Sequence, residues 1–348
     1  TGSPITATIS NGDMATLSTL EAGNRYTLNV TDTLVAADAL NTLDQMTSGQ
    51  IIMANSVNTL TGTYADVNAA LNSTGISYLS TKNVNLGSTP ITVTEANTID
   101  DRISGSAMGT PTGVITAVIS NTSINELKTL TDKSMGLEPV NAYSITVGDT
   151  LVAAADLLTV DALTSVAVQA SAVTNITGLY GDVLAVYDAN GTSITGLGNE
   201  AVTLTGAVSV GGVNNIDDYT SGVVTATISN TSIVGLKGIS LASGQNYNAY
   251  TINIVETLVA ATDLTAVDVR TSLAVNAGNV LTITGSLNAV RAVYDANGIG
   301  ISGLGNEAVT LDDQTVNAIA LNALDGLTSG AINAASVRLI NGSVNDVR

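Results

Sequence analysis

The sequence predicts an α/β solenoid, a stack of helix-strand units of about 27 residues that share a parallel sheet. Three observations predict this fold class. Sequence segments recur at near-constant spacing, the apolar residues are small aliphatics, and helix-like stretches alternate with strand-like ones. Units this short bury their apolar faces only against neighbours, so they stack. A parallel β-helix without helices is the alternative fold.

Recurrent segments set the spacing of the repeat. Two motifs return almost unchanged, one at residues 5–11, 115–121 and 224–230, the other at 196–204 and 303–311. Tyr143 and Tyr250 lie 107 residues apart, as do Tyr187 and Tyr294. We therefore expect one repeat array over residues 1–348, with long periods at 1–114, 115–223 and 224–330 and a partial copy at 331–348.

The first long period is longer than the second, because 117 residues separate Tyr26 from Tyr143. Part of the excess is predicted to be a local insertion. Gly62 and Val93 are 31 residues apart, whereas the matched positions of each later copy are 26 apart. We expect residues 73–82 to bulge as a loop.

Each long period contains four helix-like stretches, each followed by a strand-like one. In the second copy we predict helices at 123–131, 150–163, 180–189 and 213–219, and strands at 143–147, 166–170, 201–204 and 224–228. The strand stretches alternate apolar residues with Thr or Asn, so one face looks inward. Asp149 or Thr150 is expected to cap the helix that follows it. The strands should run parallel, joined by right-handed crossovers.

Charge and composition exclude several classes of partner. Lys and Arg total 10 against 29 Asp and Glu, a formal net charge of −19, so nucleic acid and anionic lipid are repelled. No apolar run reaches the roughly 18–20 residues that span a bilayer. Cys is absent, which excludes disulfides and thiolate metal sites. Aromatic residues make up 3% of the chain, all Tyr, so Val, Ile, Leu and Ala must build the interior.

The residue types also argue against catalysis. Without His or Cys, the usual triads and most transition-metal sites are excluded. Adjacent carboxylates point in different directions on a helix or strand, so we interpret three pairs as structural or solvating: Asp100 with Asp101, Asp217 with Asp218, and Asp312 with Asp313. A glycosidase would need carboxylates gathered beside Arg or aromatic platforms, which are scarce here. We predict no enzyme and no catalytic, cofactor-binding or metal-binding residue.

Two segments, residues 188–191 and 295–298, resemble the start of a calcium loop because they read Asp-Ala-Asn-Gly. The bidentate Glu of loop position 12 is missing, since Glu200 and Glu307 fall one place later. We interpret both segments as Asn-Gly turns at helix ends, with weak calcium binding as the alternative.

Other recurring residues are interpreted as structural. Glycines before strands are turn residues and not phosphate loops: Gly196, Gly198, Gly303 and Gly305. Tyr26, Tyr143 and Tyr250 share one position in the period and are expected to form a core or surface ladder. Asn-x-Ser/Thr sequences occur at Asn72, Asn121, Asn175 and Asn230 and are interpreted as suited to turns and strand faces, with glycosylation as the alternative.

Both ends of the chain fall inside repeat units. Residues 341–348 match 284–291, and residues 1–11 begin in the register of 220–230. A solenoid end needs a polar cap to cover its apolar edge. We therefore expect that the chain is a segment of a longer polypeptide, or that copies stack end to end.

Segments at 149–154, 176–178, 196–203 and 321–330 resemble repeats of very large bacterial surface proteins, marine cyanobacterial ones in particular. The resemblance covers nearly the whole chain and rests on low-complexity motifs. It implies an exported, cell-surface or filament-forming molecule without a catalytic motif. We expect a structural repeat module of an extracellular filament, sheath or surface layer that associates with itself end to end or laterally. The alternative is the stalk of an adhesin that binds surface glycans or another cell.

Overall fold

The computed structural model describes residues 2–53, 56–103, 113–131, 141–241, 248–343 and 346. Helices and parallel strands alternate along these residues, which confirms an α/β fold with parallel sheets. The chain divides into two compact regions. The first region comprises Thr1–Val173 and Asp188–Leu197, and the second comprises Thr174–Tyr187 and Gly198–Arg348.

Twelve helices lie in the described residues, most of them two or three turns long. They are α1 Met14–Leu17, α2 Ala37–Met46, α3 Tyr64–Asn72, α4 Val93–Ile103, α5 Ile124–Leu127, α6 Ala154–Asp161, α7 Tyr180–Ala189, α8 Val210–Asp217, α9 Ile233–Leu236, α10 Ala261–Asp268, α11 Leu287–Asp295 and α12 Ala318–Asp325.

The strands are short, and most units contain two. Those of the first region are β1 Thr6–Gly12, β2 Arg25–Val30, β3 Leu34–Ala36, β4 Ile51–Met53, β5 Thr59–Thr61, β6 Ile76–Ser77, β7 Asn83–Asn85, β8 Ile115–Val118, β9 Ala142–Ser144, β10 Leu151–Ala153, β11 Val168–Gln169 and β13 Ile194–Thr195. Those of the second region are β12 Asn175–Leu179, β14 Ala201–Val208, β15 Val224–Ile228, β16 Ala249–Thr251, β17 Leu258–Ala260, β18 Val275–Asn276, β19 Thr282–Gly285, β20 Ile301–Ser302, β21 Ala308–Leu311, β22 Thr315–Asn317, β23 Ile332–Asn333 and β24 Leu339–Asn341.

In both compact regions each strand pairs in parallel with its counterpart in the next unit. The first region has the strand orders β1-β2-β4-β6, β3-β5-β7-β8-β9 and β11-β13. The second has β12-β14-β15-β16, β17-β19-β21-β23, β18-β20 and β22-β24. Asn175 pairs with Ala201 and Thr282 with Ala308, each 26 residues further along the chain. Parallel strands require such crossovers, and the helices supply them.

Alternation of side chains explains why these segments form strands. In β15, Val224, Ala226 and Ile228 are buried, while the two Thr between them face outward or are half-buried. Each fully buried Val or Ile contributes about 1.5–3 kcal/mol to folding. The helices complete the core with one apolar stripe, as Val183 and Val186 do on α7. Small aliphatic side chains therefore form the core, and each unit contributes its own set of them.

The structure corrects the predicted division of the units. Residues 150–163 do not form one helix, because β10 precedes α6 there and α6 begins only at Ala154. Helix α5 covers only part of the predicted 123–131, and α8 begins before the predicted 213–219. Helix α7 and strand β15 have the predicted bounds. One strand per unit was the wrong expectation, because a second short strand precedes several helices and buries its central residue, as β10 does with Val152 before α6.

The predicted loop at residues 73–82 is also wrong. This stretch contains β6, which pairs with β4, and its Ile76 and Leu79 are buried. The additional residues lie further along. Val84 pairs with Ile115, 31 residues later, whereas the corresponding pair of the next period, Val202 and Val224, is 22 apart. The stretch after Val84 includes residues 104–112, which lie outside the described part of the chain.

Among the described residues, no helix has the length and apolar character required to span a bilayer.

Candidate functional site

Buried polar side chains meet where one unit follows another, and the same arrangements recur along the chain. The first is built around Glu200, which is fully buried. Its carboxylate accepts hydrogen bonds from the Gly198 N–H at 2.9 Å and from the Tyr187 hydroxyl at 3.2 Å. Gly198 has a φ of 137°, a backbone conformation that favours glycine. Its N–H points toward the carboxylate in this conformation. Tyr187 comes from the buried stripe of α7.

The next long period repeats this arrangement. Glu307 is fully buried and accepts hydrogen bonds from the Gly305 N–H at 2.9 Å and the Tyr294 hydroxyl at 3.0 Å. Burial, together with the neighbouring carboxylate, raises the pKa of Tyr294 to about 12. Burial and then the Glu200 charge raise the pKa of Tyr187 as well. The carboxylates thus hold their tyrosines in the neutral, hydrogen-bond-donating form.

The second arrangement joins an Asn, an Asp and the preceding strand. The Asn248 side chain accepts a hydrogen bond from the Val224 N–H at 2.8 Å and donates one to Asp217 at 2.6 Å. In the previous period Asn141 donates to Asp100 at 3.0 Å and to the Tyr143 hydroxyl at 3.2 Å. The first Asp of each of these pairs therefore has a structural contact, in agreement with the sequence interpretation.

The Tyr ladder is part of this arrangement. Tyr26, Tyr143 and Tyr250 are 8%, 0% and 1% exposed, so they are core residues. Burial, with a smaller contribution from the Asp217 charge, raises the pKa of Tyr250.

The third arrangement, which sequence analysis missed, is a Thr after each of several helices that is buried in four units and half-buried at Thr328. The Thr220 hydroxyl donates to the Glu200 carbonyl at 2.7 Å and accepts from the Gly222 N–H at 3.0 Å. Each such Thr donates to a backbone carbonyl 20 or 21 residues earlier, in the preceding unit: Thr47, Thr164, Thr220, Thr271 and Thr328. The signal that could have found it is the recurring Thr-Ser dipeptide.

The fourth arrangement is a second helix cap, supplied by the following unit to helices whose own N-cap residues are Asp13, Ser123, Ser232 and Ser286. Asp149 does not cap the helix after it, because α6 has Ala153 at its N-cap and no side-chain cap. Its carboxylate instead accepts a hydrogen bond from the Ile124 N–H at 2.6 Å, at the start of α5. Asp32, Glu256 and Asp313 do the same for Met14, Ile233 and Leu287. The predicted cap was wrong because β10 lies between Asp149 and α6, which begins only at Ala154.

The calcium-like segments are turns. The Asn190 side chain donates to the Leu197 carbonyl at 3.2 Å, and Gly191 has a φ of 88°, which confirms an Asn-Gly turn at a helix end. Asn297 and Gly298 repeat the arrangement. In the part of the chain that the structure describes, no group of three Asp or Glu side chains is placed to hold a metal ion. The predicted turn glycines also have positive φ: Gly196, Gly198, Gly303 and Gly305.

Two equivalent ion pairs connect successive helices. Lys128 on the C-cap of α5 contacts Asp156 at 2.7 Å, and Lys237 contacts Asp263 at 2.6 Å. All four side chains are partly exposed, so each pair contributes about 0–1 kcal/mol.

The remaining candidates lie on the surface or in caps. Asp218 is exposed, and Asp313 is the cap of α11 already described. The Asn residues of the Asn-x-Ser/Thr sequences named above are exposed: Asn72, Asn121, Asn175 and Asn230.

The second, third and fourth arrangements share one property. A carboxylate, amide or hydroxyl of one unit satisfies a backbone group of its neighbour, so the chemistry of the recurring groups holds units in register. No family model, curated protein or solved structure matches this chain.

Proposed function

We propose that the chain is a solenoid segment with a structural role, a repeat module of an extracellular filament, sheath or surface layer. The observation that supports this most is the helix cap supplied by the following unit, which recurs in both compact regions. A unit built in this way gains additional hydrogen bonds from its neighbour, which is the property of a linear repeat array.

The distribution of charge supports association through the strand faces. The chain carries a net charge of −19, yet of the strands described β2 alone contains a charged residue, Arg25. Apart from Arg25, exposed strand positions hold uncharged residues, with Thr, Asn and Leu prominent among them. Leu34, Leu151 and Leu258 occupy one repeated position and are 60%, 60% and 63% exposed. Copies that repel elsewhere can approach along such uncharged faces.

Electron microscopy of the purified full chain tests the proposal. We expect regular polymers or sheets, examined with and without a chelator because acidic surfaces attract divalent cations. The double substitution Leu151→Lys and Leu258→Lys places charge on the strand face and should abolish lateral association. Val234→Lys is the matched control, because Val234 is 70% exposed on α9. Dispersed single chains under every condition would contradict the structural role.

A second candidate function, the stalk of an adhesin, is favoured by the same uncharged face. Rows of Thr and Asn, such as Thr203 beside Thr225, present hydroxyl and amide groups that can hydrogen-bond to sugar hydroxyls. Binding of the chain to immobilised glycans, lost in the double Lys variant and without polymers in the microscope, would support the adhesin over the filament.

A further inference from the structure

One pair of aromatic rings stands apart from the repeating contacts. The rings of Tyr187 and Tyr219 stack with their centroids 5.4 Å apart and their planes 7° from parallel. Both residues lie in the second compact region. They belong to successive units, since Tyr187 lies on α7 and Tyr219 follows α8.

The two rings differ in their surroundings. Tyr187 is 3% exposed and donates its hydroxyl hydrogen to the buried Glu200 carboxylate. Tyr219 is 42% exposed, so an oxidant in solution can reach its ring. A phenol that loses an electron becomes a strong acid, and a carboxylate already hydrogen-bonded to it is placed to accept the proton. The pair thus combines an accessible ring, a stacked partner and a buried proton acceptor.

We propose that Tyr187 and Tyr219 form a dityrosine crosslinking site, a covalent modification site that joins two successive units. A one-electron oxidant, such as a peroxidase with hydrogen peroxide, removes one electron from each phenol. The Tyr187 proton passes to Glu200 and the Tyr219 proton to solvent. The two radicals then form a carbon–carbon bond between ring positions ortho to the hydroxyls. The hydrogen on each of these carbons moves to its phenol oxygen, so the net change is the loss of two hydrogen atoms. The proposal does not depend on the proposed function.

The repeat contains its own comparison. Tyr294 and Glu307 reproduce the hydrogen bond of Tyr187 and Glu200 in the next long period. Thr220 and Thr328 also correspond, since each donates to the carbonyl of its Glu. The residue before Thr328 is Leu327, which takes the place of Tyr219. Both periods thus contain the buried tyrosine and its carboxylate. The stacked second tyrosine is present in the earlier period and is replaced by Leu327 in the later one.

The test is oxidation of the full chain at low protein concentration with peroxidase and hydrogen peroxide. Dityrosine fluorescence should appear, and mass spectrometry should find peptides of Tyr187 and Tyr219 joined with the loss of two hydrogen atoms. Digestion must use a protease that cleaves at acidic residues, because no Lys or Arg separates the two tyrosines.

Two variants make the test specific. Tyr219→Leu copies the later period and should reduce the intramolecular link to background. Leu327→Tyr should add a second link, from Tyr294 to residue 327. Circular dichroism before oxidation confirms that each variant keeps the wild-type fold. Links in the wild type that join other tyrosines, that connect separate chains only, or that persist in Tyr219→Leu would overturn the proposal, as would a wild type that forms no dityrosine.

Discussion

Threonine is the residue that most consistently joins neighbouring units. At Thr220 the hydroxyl donates to the Glu200 carbonyl and accepts from the Gly222 N–H. Its methyl group and β-branched shape suit an extended backbone, so one side chain serves both packing and hydrogen bonding. A composition rich in Thr therefore reflects two uses, buried contacts between units and the outward strand face.

Thr220→Val should lower the free energy of unfolding by about 1–3 kcal/mol, because it leaves a buried donor and acceptor unsatisfied with little change in shape. Urea denaturation followed by circular dichroism measures the effect. Thr203→Val is the matched control, since Thr203 is exposed on β14 and its replacement should change stability by less than about 0.5 kcal/mol. Equal losses in the two variants would contradict the role of the buried hydroxyl.

The buried tyrosines predict a loss of stability in alkali. The pKa of Tyr294 rises from 10.0 to about 12 on folding. The stability that the neutral Tyr294 side chain contributes to the folded state is therefore fully present below pH 10. It is lost as the pH rises from 10 toward 12. Tyr294→Phe should reduce the dependence of the urea midpoint on pH in this window. Tyr78→Phe, at a residue that is 69% exposed, should leave the slope unchanged.

At the level of elements, close contact between consecutive strands depends on small residues at particular positions. A Cβ atom on Gly222 would lie 2.1 Å from the Glu200 carbonyl oxygen, and one on Gly330 would lie 2.2 Å from that of Glu307. Both glycines follow a Thr-Ser dipeptide. At the equivalent position of other units stand Val166 and Leu273, so the local backbone of those units accommodates a Cβ atom.

Gly222→Ala should destabilise the protein by roughly 1–3 kcal/mol, the usual cost of overpacking, because the opposing atoms belong to the backbone. The control is Gly211→Ala in α8, where a Cβ atom meets nothing within 4 Å. It should stabilise the protein by about 0.5–1 kcal/mol through helix propensity. Thermal unfolding of both variants gives the comparison. A Gly222→Ala variant more stable than the wild type would contradict the close backbone contact at this position.

Much of this element structure could be predicted from the sequence, because several copies of each motif report the same pattern. Helix α7 and strand β15 were placed correctly, since their apolar periods stand out in every copy. The contacts that join units could not be placed in the same way. Asp149 reaches Ile124 and not its own helix because the register between units decides its neighbour. Register is a property of the stacked backbone, which local patterns do not contain.

At the scale of the whole molecule, net charge opposes association, and in our proposal the uncharged strand faces favour it. With a net charge of −19, copies repel over a distance set by the Debye length, which is about 30 Å at 0.01 M salt and about 8 Å at 0.15 M. The proposed self-association should therefore depend on ionic strength in a defined direction.

Assembly measured by light scattering or sedimentation should increase from 0.01 M to about 0.15 M sodium chloride as the repulsion is screened. Magnesium chloride at matched ionic strength separates general screening from specific cation binding. Association that weakens as salt is added would mean that attractive charges, and not uncharged strand faces, hold the copies together.

The helix cap supplied by the following unit also sets an order of events during synthesis. Asp149 emerges from the ribosome 25 residues after Ile124, the residue that it caps. At about 5–20 residues per second this delay is on the order of 1–5 s. For α1, α5, α9 and α11 the first N–H therefore gains its carboxylate partner only when the next unit has been translated, although each of these helices already carries its own N-cap.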